Sequence, residues 1–592
     1  MPTDTIPGRL FAQADKQPTA PAYFEKINDG WTPTSYRGYA DQIRQAARAL
    51  IALGHEPNGK ICILGFNCPE WSISDLACIA AGGVPAGIYD TCSPEEIAYI
   101  LQHSEAFLVV IEDKVQWEKV KEVRGELPDL KWVVTMKKSE VIEDDMVMSW
   151  EDFLAKGNDV PDSAIDERLE NIDPSDAATF IYTSGTTGPP KAVMLSHENL
   201  TWTAQRAVEM VDMTNNDINL SYLPLSHIAE QMFSLHAPAT AGSQVYYCEA
   251  RDKVPDNLKE VRPTVVFGVP RVWEKLYAGV TNKLKDAPPM KQKLVGWATN
   301  VGRAVTNERH HGREPGGFLA LQYKFANKLI FSKLKPALGM DRARLCVSGA
   351  APISPEVIEF FNGLDLPIYE VYGQSEDCGP TSFNLPGRTR VGSVGQAVEG
   401  VEVKIAEDDE ILVRGPNVFL GYYKDEGATN DTIIDGWLHS GDLGKFDEDG
   451  FLSIIGRKKD IIITAGGKNI APKNIEAALK GIELVSQAVV IGDRRKFLSA
   501  LVALDPEASA AFAAANNITG NIHEHEAVIK AVQAGVDELV NPRFARVEHI
   551  RKFKILPREL DTDNKELTPT LKIKRRIVNQ NWADLIESMY TD

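Results

Sequence analysis

Apolar and polar positions along this chain alternate between two periods. Apolar residues at helical spacing run through Asp41 to Leu53, Glu70 to Ala81, Pro94 to His103, Leu200 to Val211 and Val272 to Lys283. Between them lie short apolar runs: Lys60 to Gly65, Phe107 to Ile111, Ala178 to Ile181, Ile218 to Leu223 and Thr264 to Gly268. Their length and continuous apolar character suit strands buried on both faces. Such strands alternating with amphipathic helices predict parallel sheets covered by helices, an α/β fold. From Val401 to Ile455 the pattern shortens to strands and turns, which predicts a small antiparallel β subdomain over about residues 400–456. A charged break, Arg457-Lys458-Lys459-Asp460, then separates an N-terminal domain, residues 1–456, from an α+β C-terminal domain, residues 457–592. Helices are expected there over Ala508 to Ala515 and His523 to Leu539.

Composition narrows the class. With 592 residues, 43% hydrophobic and 25% charged, the chain can bury large cores and reads as globular. A formal charge of −19 speaks against a general nucleic-acid binder. Seven scattered cysteines without a CxxC pair fit reduced thiols better than a disulfide framework. The N-terminus lacks the basic and apolar regions of a signal peptide. No apolar run approaches the roughly 18–20 residues that span a bilayer. The expectation is a cytoplasmic protein, peripheral at a membrane surface at most.

One segment departs from the acidic average. Between residues 290 and 338, nine Lys and Arg face only Glu308 and Glu314, and Phe318, Tyr323, Phe325, Leu329 and Phe331 interleave with the later lysines. A solvated helical pair packed on the domain is the favoured reading. The sharper one is an interfacial patch, carried by Lys324, Lys328, Lys333 and Lys335, that brings the protein to anionic membrane.

The candidate chemistry centres on Tyr182-Thr183-Ser184-Gly185-Thr186-Thr187-Gly188-Pro189-Pro190-Lys191. Glycines and small hydroxyl residues leave backbone N–H groups open, and a lysine closes the loop. That is the make-up of a phosphate cradle. The common P-loop has its Lys directly after the second Gly, whereas here Pro189 and Pro190 intervene. The competing reading, a Gly/Ser/Thr surface turn, suits a shorter string. His523-Glu524-His525 cannot set both rings on one helical face, so no zinc site is expected there.

Further strings follow in order: Tyr222-Leu223-Pro224-Leu225-Ser226-His227, Ser348-Gly349-Ala350-Ala351-Pro352, Tyr372-Gly373-Gln374-Ser375-Glu376, Trp437-Leu438-His439-Ser440-Gly441-Asp442 and Gly456-Arg457-Lys458-Lys459-Asp460. With the loop, they resemble the adenylate-forming superfamily of acyl-CoA synthetases, luciferases and peptide-synthetase adenylation domains, over nearly the whole chain. Ile63 to Trp71, Gly87 to Thr91 and Arg262 through Lys275 are similar to long-chain acyl-CoA synthetases of the bubblegum type.

The resemblance implies activation of a long-chain fatty acid by ATP to acyl-AMP and pyrophosphate, then transfer to CoA, with Mg²⁺ as cofactor. On it, Thr183, Ser184, Gly185, Thr186, Thr187, Gly188 and Lys191 hold the β- and γ-phosphates. Glu376 and Thr183 are the metal ligands, since Mg²⁺ favours one or two carboxylates with phosphate oxygens. Tyr372, Gly373 and Ser375 take the adenine beside Gly349, Ala350 and Ala351, and Ser375 keeps the hydroxyl of the family's usual Thr. Asp442 and Arg457 bind the ribose. His227 stands by the carboxylate, with a satisfied structural histidine as the competing reading. Leu567 to Arg575 resembles the segment of the catalytic lysine but departs from the commoner Ser-Gly-Lys form. Lys572 is the choice there, with Lys574 and Lys565 open. Lys459 matches the hinge of a mobile C-terminal domain, and Gly466 and Gly467 would line the CoA tunnel. The alternatives are an acyl-AMP ligase loading a carrier protein, a CoA ligase for a shorter or aryl acid, and a catalytically silent fatty-acid carrier or membrane adaptor. No motif specifies the oligomeric state.

Overall fold

A computed structural model describes residues 3–183, 189–285, 287–568 and 572–591. The largest sheet has eight strands, six of them parallel in the order Ala177–Thr183, Val84–Ile88, Lys60–Leu64, Leu108–Ile111, Trp132–Thr135 and Val147–Met148. Every side chain from Ile61 to Leu64 is fully buried, as the continuous apolar run requires. The helix Pro69–Ala80 is buried along its whole length, so it lies within the core rather than on it. Two strands that the apolar pattern does not reveal close one edge: Lys191–Ser196 and Gly421–Tyr422, both antiparallel.

A second sheet sets Val265–Gly268, Leu345–Ser348 and Ile368–Tyr372 parallel, followed by two short antiparallel strands. A third holds Ile218–Ser221, Gln244–Tyr247, Pro21–Ile27 and Gly30–Ser35. The small β subdomain is antiparallel and includes Glu402–Ile405, Glu410–Arg414, Trp437–Phe446 and Leu452–Arg457. Gly421–Tyr422 falls inside that stretch of sequence yet joins the eight-stranded sheet instead.

The smaller C-terminal domain is built on Val485–Ile491, Leu498–Leu504 and Ile550–Ile555. Alternation sends Ala488 and Val490 to a core with Ile475, Leu479, Val528 and Val532, and Val489 and Ile491 to another with Val578 and Ile586. The helix expected from His523 starts at Glu526, where the His525 ring accepts the Ala527 N–H at 3.2 Å and caps it. That explains a histidine here without a metal. Residues 290–338 form the helix Pro289–His310 and a second run, Gly317–Ala326, which passes through a π turn, Asn327–Phe331, into Ser332–Ala337. All seven cysteines are free.

Among the described residues, five ion pairs cross between the large domain and the residues after Lys458: Lys574–Glu96 at 3.9 Å, Arg271–Asp505 at 3.5 Å, Lys285–Glu483 at 2.7 Å, Lys480–Glu274 at 3.8 Å and Arg543–Glu356 at 3.1 Å.

Candidate active site

The strands on either side of the glycine-rich string pair antiparallel. Thr183 and Lys191 face each other across the ladder, and the Thr183 hydroxyl donates to the Lys191 carbonyl at 3.4 Å. Ser184, Gly185, Thr186, Thr187 and Gly188 lie outside the described residues. The Lys191 Nζ stands 3.5 Å from Asp425 and 4.7 Å from the Tyr422 ring centroid. Both members of that ion pair are substantially exposed, so it is weak and a polyphosphate can displace the carboxylate.

Tyr422 ties the lysine to the acid, because its hydroxyl donates to Glu376 Oε1 at 2.7 Å. Glu376 sits in a 3₁₀ turn, Ser375–Asp377, after the strand ending at Tyr372. Two features fix that turn. A Cβ on Gly373 would lie 1.4 Å from the Gly379 carbonyl oxygen, so only glycine fits. Asp377 is fully buried and accepts the Gln374 N–H at 2.7 Å and the Thr381 hydroxyl, and burial pushes its pKa up to about 8.

A second cluster adjoins this turn. The Tyr372 hydroxyl donates to Asp442 Oδ2 at 3.1 Å, and Arg457 Nε lies 3.5 Å from Asp442 Oδ1. Asp442 and Arg457 are direct partners on neighbouring antiparallel strands, which is why residues fifteen apart in sequence meet. Burial alone pulls the Arg457 guanidinium down, but the Asp442 and Glu376 carboxylates outweigh it and hold its pKa above the ordinary value. Burial, reinforced by Asp442, raises the Tyr372 phenol. Gly349 follows Leu345–Ser348, the parallel neighbour of the strand ending at Tyr372, so Gly349, Ala350 and Ala351 lie at the same carboxyl edge. Open α/β sheets bind ligands at that edge. A Cβ on Gly349 would come within 2.7 Å of Val371, and Ala350 adopts φ +68°.

His227 caps the helix Ile228–Gln231, its Nδ1 accepting the Ala229 N–H at 3.2 Å. Burial, with a contribution from the Lys572 charge, pushes its pKa down to about 4. The ring is therefore neutral, and with Nδ1 an acceptor its proton is on Nε2.

Lys572 comes from the other domain. Its N–H donates to the Thr568 hydroxyl at 3.0 Å and its carbonyl accepts the Thr568 N–H at 2.8 Å, so the two residues hold each other in place. Glu566, two residues before Thr568 and fully buried, accepts from Arg558 at 2.6 Å and from Trp582 Nε1 at 2.8 Å, which anchors the segment leading to Thr568. Lys572 keeps an exposed surface as a residue, yet protein crowds the amine. That crowding and the charges of Arg457 and Lys473 hold its pKa below the ordinary value, opposed by Glu376 and Asp442. Of the three candidate lysines, Lys574 is engaged with Glu96, and Lys565 occupies a turn at φ +58°. Lys572 is the one set among the charges of Glu376, Asp442 and Arg457, and its own charge reaches the neutral His227 ring.

Lys459 lies in a 3₁₀ turn between two tethers. Before it, Lys458 reaches Asp408 at 2.6 Å and Glu410 at 3.1 Å in the β subdomain; after it, Asp460 pairs with Lys473 at 3.6 Å. Gly466 and Gly467 lie at the exposed tip of the hairpin Ile462–Ile463/Asn469–Ile470, next to Thr464 and Arg495 of their own domain. The structure does not bring them to the Glu376–Asp442 cluster.

Tyr422, Asp425 and Asp377 escape the sequence reading. A two-residue edge strand carries no periodic signal, and the only cue is Asp425 standing as a helix N-cap before Glu426.

Two family models match the chain: AMP-binding enzyme over residues 10–423 and AMP-binding enzyme C-terminal domain over residues 459–592. The long-chain-fatty-acid–CoA ligase ACSBG2 of Xenopus laevis is 39% identical over 607 residues, which cover 96% of this chain and 82% of that protein. The long-chain-fatty-acid–CoA ligase ACSBG1 of Homo sapiens is 36% identical over 622 residues, covering 99% and 85%. Among solved structures, the adenylation domain of a carboxylate reductase from Mycobacterium chelonae superposes with a TM-score of 0.78 at 20% identity, covering 100% of this chain and 94% of that one. An anthranilate CoA ligase in complex with anthranoyl-AMP gives 0.72 at 20% identity, covering 99% and 98%. At that identity the structures speak for the fold alone. Sequence similarity over nearly the whole length goes further, and the chain belongs to the AMP-binding enzyme family, among its long-chain acyl-CoA synthetases of the bubblegum type.

Proposed function

We propose that this chain activates a long-chain fatty acid with ATP, giving acyl-AMP and pyrophosphate, and transfers the acyl group to CoA with release of AMP. The observation that carries this reading is that Lys572, from the C-terminal domain, lies within electrostatic reach of Glu376, Asp442 and the His227 ring of the large domain and of Arg457 at the domain boundary. Full-length similarity to long-chain-fatty-acid–CoA ligases supports the same acid and acceptor.

The chemistry follows from charge. A carboxylate must approach a polyanion, so cations and fixed donors have to neutralise charge as it develops. Lys191 leaves Asp425 for the β- and γ-phosphates, with the loop Thr183 to Gly188 around them. Tyr372, beside Gly349 to Ala351 and with Gly373 and Ser375 shaping its turn, takes the adenine, while Asp442 accepts from the ribose hydroxyls and Arg457 donates. Lys572 bridges the acid carboxylate and the α-phosphate. Glu376 suits Mg²⁺, since Tyr422 occupies only one of its oxygens, and Thr183 Oγ1 is the second candidate ligand. When bound, the ion would neutralise phosphate charge.

In the same reading the domains divide at 456/457, Lys459 is the pivot, and Gly466 and Gly467 meet CoA after the C-terminal domain rotates. Among the described residues no helix is long and apolar enough to cross a membrane. A cytoplasmic setting with peripheral contact through residues 290–338 suits a substrate that partitions into bilayers.

His227 donates from Nε2 to the incoming carboxylate as a neutral ring. Because its pKa lies below that of a free histidine, protonation sets in only below about pH 5, and adenylation should show no His227 limb at neutral pH. Nuclear magnetic resonance titration of the ring checks this; a midpoint near the ordinary value would contradict the assignment.

The function itself is tested by AMP release with free CoA across acids from acetate to oleate. Release with oleate and not acetate is expected. Fatty-acid-dependent ATP–pyrophosphate exchange without CoA-dependent AMP release would favour a carrier-protein acceptor, and no exchange at all a silent carrier.

A further inference from the structure

The helical run Gly317–Ala337 carries two faces of different character. Inward, Ala326, Ile330 and Phe331 pack with Val295, Ala298 and Val305 in a separate core. Asp365, buried and at φ +58°, accepts from Arg309 at 2.9 Å, from the Tyr323 hydroxyl at 2.8 Å and from Lys335. Apolar packing and this three-way clamp hold the run firmly on the domain.

Outward, Phe318 is 73% exposed, Leu321 50%, Phe325 54% and Leu329 42%. Spacings of three and four residues place them in one stripe. Lys324, Lys328 and Lys333 are exposed beside it, and no Asp or Glu occurs between Pro315 and Met340 in a chain of net charge −19. Scattered exposed leucines are ordinary, but a contiguous stripe rich in phenylalanine and flanked by cations marks an interaction surface. A second copy of the chain fits poorly, because self-pairing would set the lysines of one stripe against those of the other. An anionic bilayer satisfies both parts at once: rings enter the acyl boundary and ammonium groups stay among the headgroups.

We propose that Phe318, Leu321, Phe325 and Leu329, with Lys324, Lys328 and Lys333, dock the protein on the surface of an anionic lipid bilayer. The inference sharpens the peripheral contact of the proposed function and rests on that reading for its purpose, though not for its test. It also removes Lys335 from the patch, since Asp365 holds it.

Co-sedimentation of the full chain with phosphatidylcholine vesicles, with and without phosphatidylserine, tests the proposal. The parent should bind only vesicles that contain the anionic lipid. The triple variant Lys324→Gln, Lys328→Gln, Lys333→Gln should bind roughly a hundredfold more weakly. Phe318→Ser with Phe325→Ser should bind about tenfold more weakly or worse. Both should keep the parent's ligase activity on oleate presented in solution, which separates docking from misfolding. Equal binding by parent and variants, or equal binding to neutral and anionic vesicles, would overturn the proposal. So would a phenylalanine variant that changes the oligomeric state in sedimentation velocity and leaves vesicle binding intact. Loss of ligase activity in every form with docking preserved would instead sink the functional reading and leave this surface standing.

Discussion

Lys572→Ala is expected to cut acyl-AMP formation by about a hundredfold to a thousandfold, the range for removing one preorganised transition-state donor, and to leave thioester formation from preformed acyl-AMP nearly unchanged. The asymmetry follows from where the charge is. During adenylation the α-phosphate and the attacking carboxylate share one growing negative region, and in the proposed reading Lys572, bonded to Thr568 next to the anchored Glu566, is the cation set against it. In the second half-reaction that charge is already relieved and a thiol replaces AMP. Pyrophosphate-exchange and single-turnover thioester assays on one preparation separate the steps. Equal damage to both would mean that Lys572 maintains the docked arrangement rather than the reaction. Lys574→Ala serves as the comparison, because it removes only the pairing with Glu96 and should cost far less.

Lys459→Pro should do the reverse. A 3₁₀ turn has a φ that proline tolerates, so the present arrangement and adenylation should survive. In the proposed reading, rotation of the C-terminal domain changes that dihedral, and proline fixes it. Thioester formation should then fall by about a hundredfold, the cost of groups that cannot reach alignment. Tethers on either side support the proposed pivot: Lys458 is bound back to the β subdomain, and Asp460 forward to Lys473. Full overall activity in the variant would remove Lys459 from the hinge.

The parallel strands are legible in the sequence because burial on both faces leaves continuous apolar runs, and Lys60–Leu64 lies within its expected span. The ligand-facing turns are legible for another reason. Gly373 stands where any side chain would collide with Gly379, so chemistry and sterics mark the same string. Partners brought in by tertiary pairing are not legible. Tyr422 reaches Glu376 only because a two-residue strand docks against Val193 and Met194. Whether His227 is charged, and which nitrogen carries its proton, depends on burial and on one backbone N–H. Residues 290–338 read as a packed helical pair from composition; the inner face bears that out, while the outer stripe depends on a helix phase that composition does not contain.

The two domains are joined by pairs such as Lys285–Glu483, exposed on both sides, and Arg543–Glu356. Each such contact contributes only about 0–1 kcal/mol, and its field dies away over about 8 Å at physiological ionic strength. Small ions therefore compete for charges that join the domain bearing Lys572 to the large one. Salt then becomes a timer: without any residue being changed, a more concentrated medium should shorten the dwell in the acyl-AMP-forming arrangement and hasten the turn toward the thiol.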